Sequence, residues 1–462
     1  MKKLFNLFKP ASPKDEISAG EAINTLLQQG IAALAKGDYG QAFVCWNQIL
    51  QANPKNTDAL VFRGMTRTGA GDLIGAINDW DEAIRINPDI SAAYANRGNA
   101  HQQLGELDKA MIDWSKAIEL DPKHAEVYYN RGRAHQEKSN WDSAIRDYNE
   151  AIKLDPKNFK ALNNRGRMHG RKGDWDKAFE DFNEAIRINP KYFNGFASRG
   201  EAYQFKGDLE NAIRDFDEAA QLEPENGIIY YHRGNCYFKK GDLDEALRNY
   251  HQAIVNDPCF AEAYYERGNV CRRQNRLDQA ICSYTEAIEL NSKAAEAFYN
   301  RGKAYFQKGD WDNAISDWNE AIKLRPDVAE IYARRASAYR RKDDFVKSAE
   351  DYEAALRLDP KLALAFNNLA WLLATCPVPS IRNGQKAVRL ALVSCKLAEW
   401  KKWNYIGTLG AAYAEVGDFA QAIKFQTQAK AMENLSETER AEAQQRLKLY
   451  EQRMPFHEQS GL

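Results

Sequence analysis

The chain has 462 residues, 44% hydrophobic and 28% charged, the composition of a soluble folded protein and far from that of a disordered segment. Its 64 basic and 65 acidic residues leave a net charge of −1, which argues against a dedicated nucleic-acid binder while allowing a local basic patch. No apolar run approaches the ~18 residues that span a bilayer. The seven cysteines (45, 236, 259, 271, 282, 376, 395) form no CxxC, the scattered usage of reduced cytosolic thiols.

Residues 1–22 read as an N-terminal tail. In its opening MKKLFNLFKPAS, Lys9 and Pro10 end the apolar part too early for a secretory signal. Leu4, Phe5, Leu7 and Phe8 give residues 1–9 one apolar face for a short helix lying on a membrane; a frayed terminus is the plainer reading.

From residue 23 a fixed period takes over. Pro54, Pro88, Pro122, Pro156, Pro190, Pro224 and Pro258 stand 34 residues apart, and Pro326 and Pro360 resume the series after Ser292. Glycines from Gly30 to Gly302 and alanines from Ala83 to Ala355 keep the same period, as only a tandem structural repeat does. Each repeat reads as two helices. In residues 125–158 the first runs from about Ala125 to Lys138, with Gly132 at position 8 allowing a close helix contact. A turn follows, KGD in other repeats, in which Gly suits a left-handed helix end and Asp the next N-cap. The second helix carries Ala144, Tyr148 and Ala151 as one apolar stripe, and LDP ends it.

Position 24 is aromatic in ten successive repeats: Trp46, Trp80, Trp114, Tyr148, Phe182, Phe216, Tyr250, Tyr284, Trp318 and Tyr352. With a small residue at 8, Ala at 20 and 27 and Pro at 32, the pattern over residues 23–362 resembles the tetratricopeptide repeat (TPR) family. Ile49, Ala336 and Ser348 depart from it in the first and tenth repeats. The resemblance implies an all-α fold, a right-handed superhelical solenoid of about twelve helix-turn-helix repeats whose first helices line a concave channel. Residues 363–435 read as two degenerate repeats split by a Pro/Gly-rich insertion, TCPVPSIRNGQ. Residues 436–462 read as a capping helix and tail that begins with a Ser436–Glu439 capping box.

The most conspicuous charged residues belong to the frame. Arg63, Arg97, Arg131, Arg165, Arg199, Arg233, Arg267, Arg301 and Arg335 share position 7, where a ladder for phosphates or carboxylates is one reading. Position 23 is Asp in seven of those nine repeats, and where the arginine is missing, in the first and twelfth, the aspartate is missing too. An internal ion pair between the two helices of each repeat is therefore expected, with Asn249 and Ser283 as weaker partners of Arg233 and Arg267. His101, His135 and His169 recur at position 11, but equivalent helices lie roughly 10 Å apart. Zinc–nitrogen bonds are about 2 Å, so the three do not converge on one ion. No HExxH, Walker loop, GxSxG or GxGxxG is present, so no enzyme, metal site or cofactor is expected.

The resemblance places positions 2, 5, 6, 9, 12 and 13 on the channel. Asn96, Asn130, Asn164, Asn300 and Asn368 occupy position 6, similar to the asparagine ladder by which some TPR superhelices hold an extended peptide. One carboxamide can donate to C=O and accept from N–H of such a backbone. Two stretches are basic: the fifth repeat (Lys160, Asn163, Asn164, Arg167, Arg171) carries +3 and the tenth (Glu330, Arg334, Arg340, Arg341) +2. Arg133, in the fourth repeat, points into the channel near Asn130, and Tyr231, Tyr265 and Tyr299, with Phe238 and Phe306, are aromatic anchors between the two basic stretches. The expected function is a scaffold binding extended protein segments that include an acidic stretch, without a small-molecule substrate, in the cytoplasm. A membrane-peripheral assembly factor at the cytoplasmic face is the alternative. RNA binding is disfavoured, because the summed channel charge over repeats two to ten is only about +3.

Overall fold

A glycine facing an aromatic ring sets the spacing of every central repeat. A Cβ on Gly132 would lie 2.8 Å from the Tyr148 ring, and one on Gly64 would lie 2.6 Å from Trp80. Only glycine lets the two helices approach so closely. The rings fill the space: Trp46, Trp80, Trp114, Tyr148, Tyr250, Tyr284 and Trp318 are all fully buried.

The computed structural model describes residues 13–433 and 435–459; the surface-helix reading of residues 1–9 lies outside them. Among the described residues the regular structure is 25 helices, divided between two compact halves, Met1–Pro224 and Glu225–Leu462. The N-terminal half opens with α1 (Pro13–Ala35), α2 (Tyr39–Ala52), α3 (Thr57–Gly69) and α4 (Leu73–Ile86). It continues with α5 (Ser91–Gln103), α6 (Leu107–Leu120), α7 (Ala125–Glu137) and α8 (Trp141–Leu154). It closes with α9 (Phe159–Arg171), α10 (Trp175–Ile188), α11 (Phe193–Lys206) and α12 (Leu209–Leu222).

The C-terminal half begins with α13 (Gly227–Lys240), α14 (Leu243–Asn256), α15 (Ala261–Arg273) and α16 (Leu277–Leu290). Next come α17 (Ala295–Lys308), α18 (Trp311–Leu324), α19 (Ala329–Arg341) and α20 (Phe345–Leu358). Last are α21 (Ala363–Thr375), α22 (Gly384–Leu397), α23 (Trp403–Glu415), α24 (Phe419–Lys430) and α25 (Glu437–Glu451). Odd and even helices pair as the first and second helices of repeats, and α25 follows as an unpaired cap. α1 starts at Pro13, ten residues before the boundary expected at 23; proline suits a first helical position, where its missing N–H is not needed.

The turn chemistry is local. Gly173 holds φ +83° between α9 and α10, and Ser139, Asn275 and Asp343 take the same left-handed conformation in repeats that lack the glycine. Asp72, Asp208, Asp242 and Asp310 then cap the second helices through their side chains. In the twelfth repeat position 24 is not aromatic. Gln426 sits there, fully buried, and its Nε2 donates to Ala443 O at 3.1 Å, tying α24 to α25. Ser436 and Glu439 form the capping box that starts α25.

Candidate functional site

The position-7 arginines are bound inside the frame, and they span more than one repeat. Arg131 Nε donates to Asp147 Oδ2 at 2.9 Å and Nη2 to Oδ1 at 2.7 Å. Its remaining Nη1 donates to Ser115 Oγ, 3.1 Å away on the preceding second helix. The same three-way grip recurs at Arg97 with Asp113 and Asp81, at Arg165 with Asp181 and Asn149, and at Arg335 with Asp351 and Asn319. Arg233 and Arg267 reach the neutral Asn249 and Ser283 at 2.6 and 3.0 Å. Where position 4 is aromatic its ring covers the guanidinium, as with Tyr128 under Arg131 at 5.9 Å, whereas the repeats of Arg63 and Arg165 have Leu60 and Leu162 there. His101 and His135 stand 3.9 and 3.8 Å from the aspartates of these same pairs, so they extend the frame. Burial keeps the His135 imidazole below its ordinary pKa.

In the N-terminal half the channel candidates separate into three groups. Asn96, Asn130 and Asn164 are half-buried on α5, α7 and α9. Asn130 Nδ2 already donates to Asn99 Oδ1 at 3.1 Å, and that oxygen also accepts from Trp114 Nε1 at 3.0 Å. Its amide is thus oriented in advance, and a carboxamide has a carbonyl acceptor and a second N–H besides that bond. Arg133 and Arg167 are exposed, and their charges weakly oppose the rise that burial causes in the Tyr148 pKa, as Arg167 does at Tyr192. Burial pushes the Tyr192 hydroxyl up to about 12, so it stays a neutral donor.

Arg167 and Arg171 line a cleft of about 330 Å³. Its walls include Trp175 and Phe205, stacked 4.8 Å apart, with Phe205 74% exposed. Sequence reading missed both rings. Phe205 sits at a channel position of the sixth repeat, where counting charges alone passes over it; Trp175 belongs to a second helix. Lys160 is exposed on the same α9 but is not part of that cleft. Asn163 departs from the expectation. At 2% exposure it is packed inside the helix layer and offers nothing to a ligand, its Oδ1 having no hydrogen-bond partner.

The C-terminal half carries the aromatic stretch. Tyr231 and Tyr265 line one cavity of about 300 Å³, and Tyr299 lines a second of about 110 Å³. Asn300 Nδ2 donates to Tyr265 Oη at 2.8 Å, so this asparagine braces an aromatic. Phe238 is half-buried beneath Arg273, and Phe306 packs edge-on against Trp311. Glu262, Glu266 and Glu296 share the cavity with Tyr231 and Tyr265. The aromatic stretch is therefore acidic, which the expectation of a ligand with an acidic stretch did not anticipate. Burial pushes the Glu266 carboxyl up, with Asn269 Nδ2 donating to it at 3.0 Å.

Arg341 is exposed, but Arg340 is not free. Its Nη1 donates to both oxygens of Glu458, at 2.8 and 3.1 Å, because the residues after α25 fold back onto α19 and α21. The expectation that Arg340 waits for a ligand is corrected to an arginine already holding a carboxylate of its own chain.

No helix among the described residues is long and apolar enough to cross a membrane. Models described as TPR repeat match residues 98–139, 205–241, 234–271, 268–309 and 302–343. Models described as tetratricopeptide repeat match 129–193 and 329–362, and together they cover more than half the chain. Among solved structures, a tetratricopeptide repeat protein from Parabacteroides merdae is 21% identical over 54% of this chain and 98% of its own, with a TM-score of 0.45. MamA is 26% identical over 37% of this chain and 94% of its own, with a TM-score of 0.33. YrrB, described as a TPR protein with an unusual peptide-binding site, is 22% identical over 39% and 92%, with a TM-score of 0.34. No curated protein matches the sequence.

Proposed function

Because this chain belongs to the tetratricopeptide repeat family, whose members mediate protein–protein interaction, we propose that it is a non-enzymatic scaffold holding extended protein segments along its first helices. One observation carries the reading. Beside Arg167, Arg171 and Glu201, the Trp175–Phe205 stack, its Phe205 ring exposed, gives a cleft that sets two guanidinium forks and one carboxylate against an apolar wall. Such a cleft suits a segment with a carboxylate next to an apolar side chain, since arginine forks match carboxylates and aromatic walls supply the burial. Asn96 and Asn130, on the same face of the N-terminal half, would bond the main chain of that segment.

The test is affinity capture from native lysate with three full-length forms: wild type, Asn96/Asn130/Asn164→Ala, and Arg167/Arg171→Glu. The charge reversal is expected to remove a subset of captured proteins and the asparagine variant to weaken most of them. An identical captured set for all three would discard the first-helix face as the binding surface.

A further inference from the structure

After α25 the chain turns back across its own first helices. Arg453 takes φ +56°, Met454 N–H bonds Leu449 O at 2.9 Å, and Pro455 bars another helical turn. The next three residues make the contacts that a bound peptide makes. Phe456 packs on Trp371 with centroids 5.9 Å apart, and the Arg446 guanidinium lies over both rings at 5.0 and 5.6 Å. The Glu458 carboxylate accepts from Trp371 Nε1 at 2.8 Å as well as from Arg340. Its backbone N–H donates to Thr375 O at 2.8 Å, and His457 Nε2 lies 2.7 Å from Glu415 Oε2. Arg340, Trp371, Thr375 and Glu415 occupy positions 12, 9, 13 and 13 of three successive repeats, on α19, α21 and α23.

We propose that this groove is a docking site for a partner-protein segment of the form aromatic–x–Glu, and that Phe456-His457-Glu458 occupies it in cis until such a segment displaces it. The inference rests on the peptide-binding reading for its chemistry but not for its location, which is separate from the Arg167–Arg171 cleft. The self-contact defines the ligand: a ring for the Trp371–Arg446 sandwich, then a carboxylate two residues on for the Arg340 fork and the indole N–H. The groove is larger than its occupant. A cavity of about 630 Å³ borders the tail, lined also by Arg341, Asp343 and Glu442, so a longer segment gains surface that the tail leaves uncovered. The tail is held chiefly through its side chains. Phe456, His457 and Glu458 are only half-buried, and Glu458 N–H makes the single backbone bond from these three residues to the helices they cross. Segments with few buried contacts open at the low end of the stability range. Tethering still gives the tail an effective concentration on the order of millimolar, so it suppresses weak ligands.

The probe is a labelled, end-blocked peptide of residues 452–459, QRMPFHEQ, titrated by fluorescence anisotropy against the full chain. Phe456→Ala/Glu458→Ala protein is expected to bind it at least tenfold more tightly than wild type. Adding Arg340→Glu to that variant should abolish binding, and adding Arg167→Glu/Arg171→Glu should leave it unchanged. Equal binding to wild type and variant overturns the proposal. So does binding that survives Arg340→Glu, or no binding to a variant that melts like wild type. If the variant does not fold, hydrogen exchange of the wild-type protein decides. A Glu458 amide exchanging far faster than those of α21 supports displacement, and one protected as well as α21 makes the tail a fixed part of the cap.

Discussion

Replacing Arg131 with methionine removes the two bonds that hold Asp147 and leaves that carboxylate 5% exposed with its charge uncompensated. Breaking one side of a buried pair costs about 3 kcal/mol or more. His135, 3.8 Å from the same carboxylate, is held below its ordinary pKa in the intact protein by burial, with the Arg131 charge adding to the effect. Arg267→Met is the internal control. Its partner is the neutral Ser283, whose hydroxyl already donates to Gln279 O at 2.8 Å, so the loss should be about 1 kcal/mol. The double variant Arg131→Met/Asp147→Leu removes both charges and should return to within about 1 kcal/mol of wild type, since apolar replacements of buried pairs are close to neutral.

Global melting blends neighbouring repeats, because solenoid stability sums local and interface contributions. Native-state hydrogen exchange on α7 and α8 reads the local opening directly. A loss of 3 kcal/mol corresponds to exchange roughly 100-fold faster. Acceleration should extend to α6, because Arg131 also holds Ser115 there. Unchanged exchange in α7 and α8, or Arg267→Met as damaging as Arg131→Met, would refute the pairing as the source of register.

Two other outcomes follow from single residues. Ser139 holds φ +58° where other repeats have glycine, a conformation costing an L-residue about 1–2 kcal/mol, so Ser139→Gly should stabilise by roughly 1 kcal/mol. Gly173→Ser should do the reverse, and denaturation midpoints of the two variants moving in the same direction would remove the explanation. For Glu266, burial raises the folded-state pKa above the unfolded value, so its ionised form opposes folding. Glu266→Gln should therefore raise the melting temperature at pH 7, with the gain shrinking as pH falls and vanishing below the unfolded value of about 4.3, where both states carry the proton. A gain that is the same at pH 4 and pH 7 would show that the carboxylate charge is not involved.

Much of the frame was legible in the sequence because it repeats. The 34-residue series of Gly132, Tyr148 and Ala151 gave the helix pairs, and the joint absence of arginine and aspartate in the first and twelfth repeats gave the Arg131–Asp147 pairing. The third bond, from Arg131 to Ser115, was not legible. Position 25 varies among Asn47, Asp81, Ser115, Asn149 and Thr285, which share only an oxygen acceptor and no single residue type. The candidate site was legible only in part, because it is built from residues that do not recur. Asn163 looked like its neighbour Asn164, and only packing distinguishes the buried one from the half-buried one. Phe456 and Glu458 lie outside the periodic region, so no comparison between repeats could have placed them beside Trp371 and Arg340.

This division of labour explains how one frame supports clefts of opposite sign. Positions 7, 8, 23 and 24 fix each repeat, and the bond from position 7 to position 25 fixes it to the one before. Positions 6, 9, 12 and 13 are then free to change without altering the register. In the N-terminal half they supply Arg167 and Arg171; in the C-terminal half they supply Glu266 beside Tyr231 and Tyr265, and then Arg340 and Arg341. A segment acidic throughout would suit the first cleft and be repelled at the second, where Glu262, Glu266 and Glu296 gather. The Arg340 groove bears this out on its own scale, since the residues it holds are an aromatic, a histidine on Glu415 and one carboxylate on Arg340, and not an acidic run. Ligands for this protein should accordingly be patterned, with isolated carboxylates set between apolar side chains.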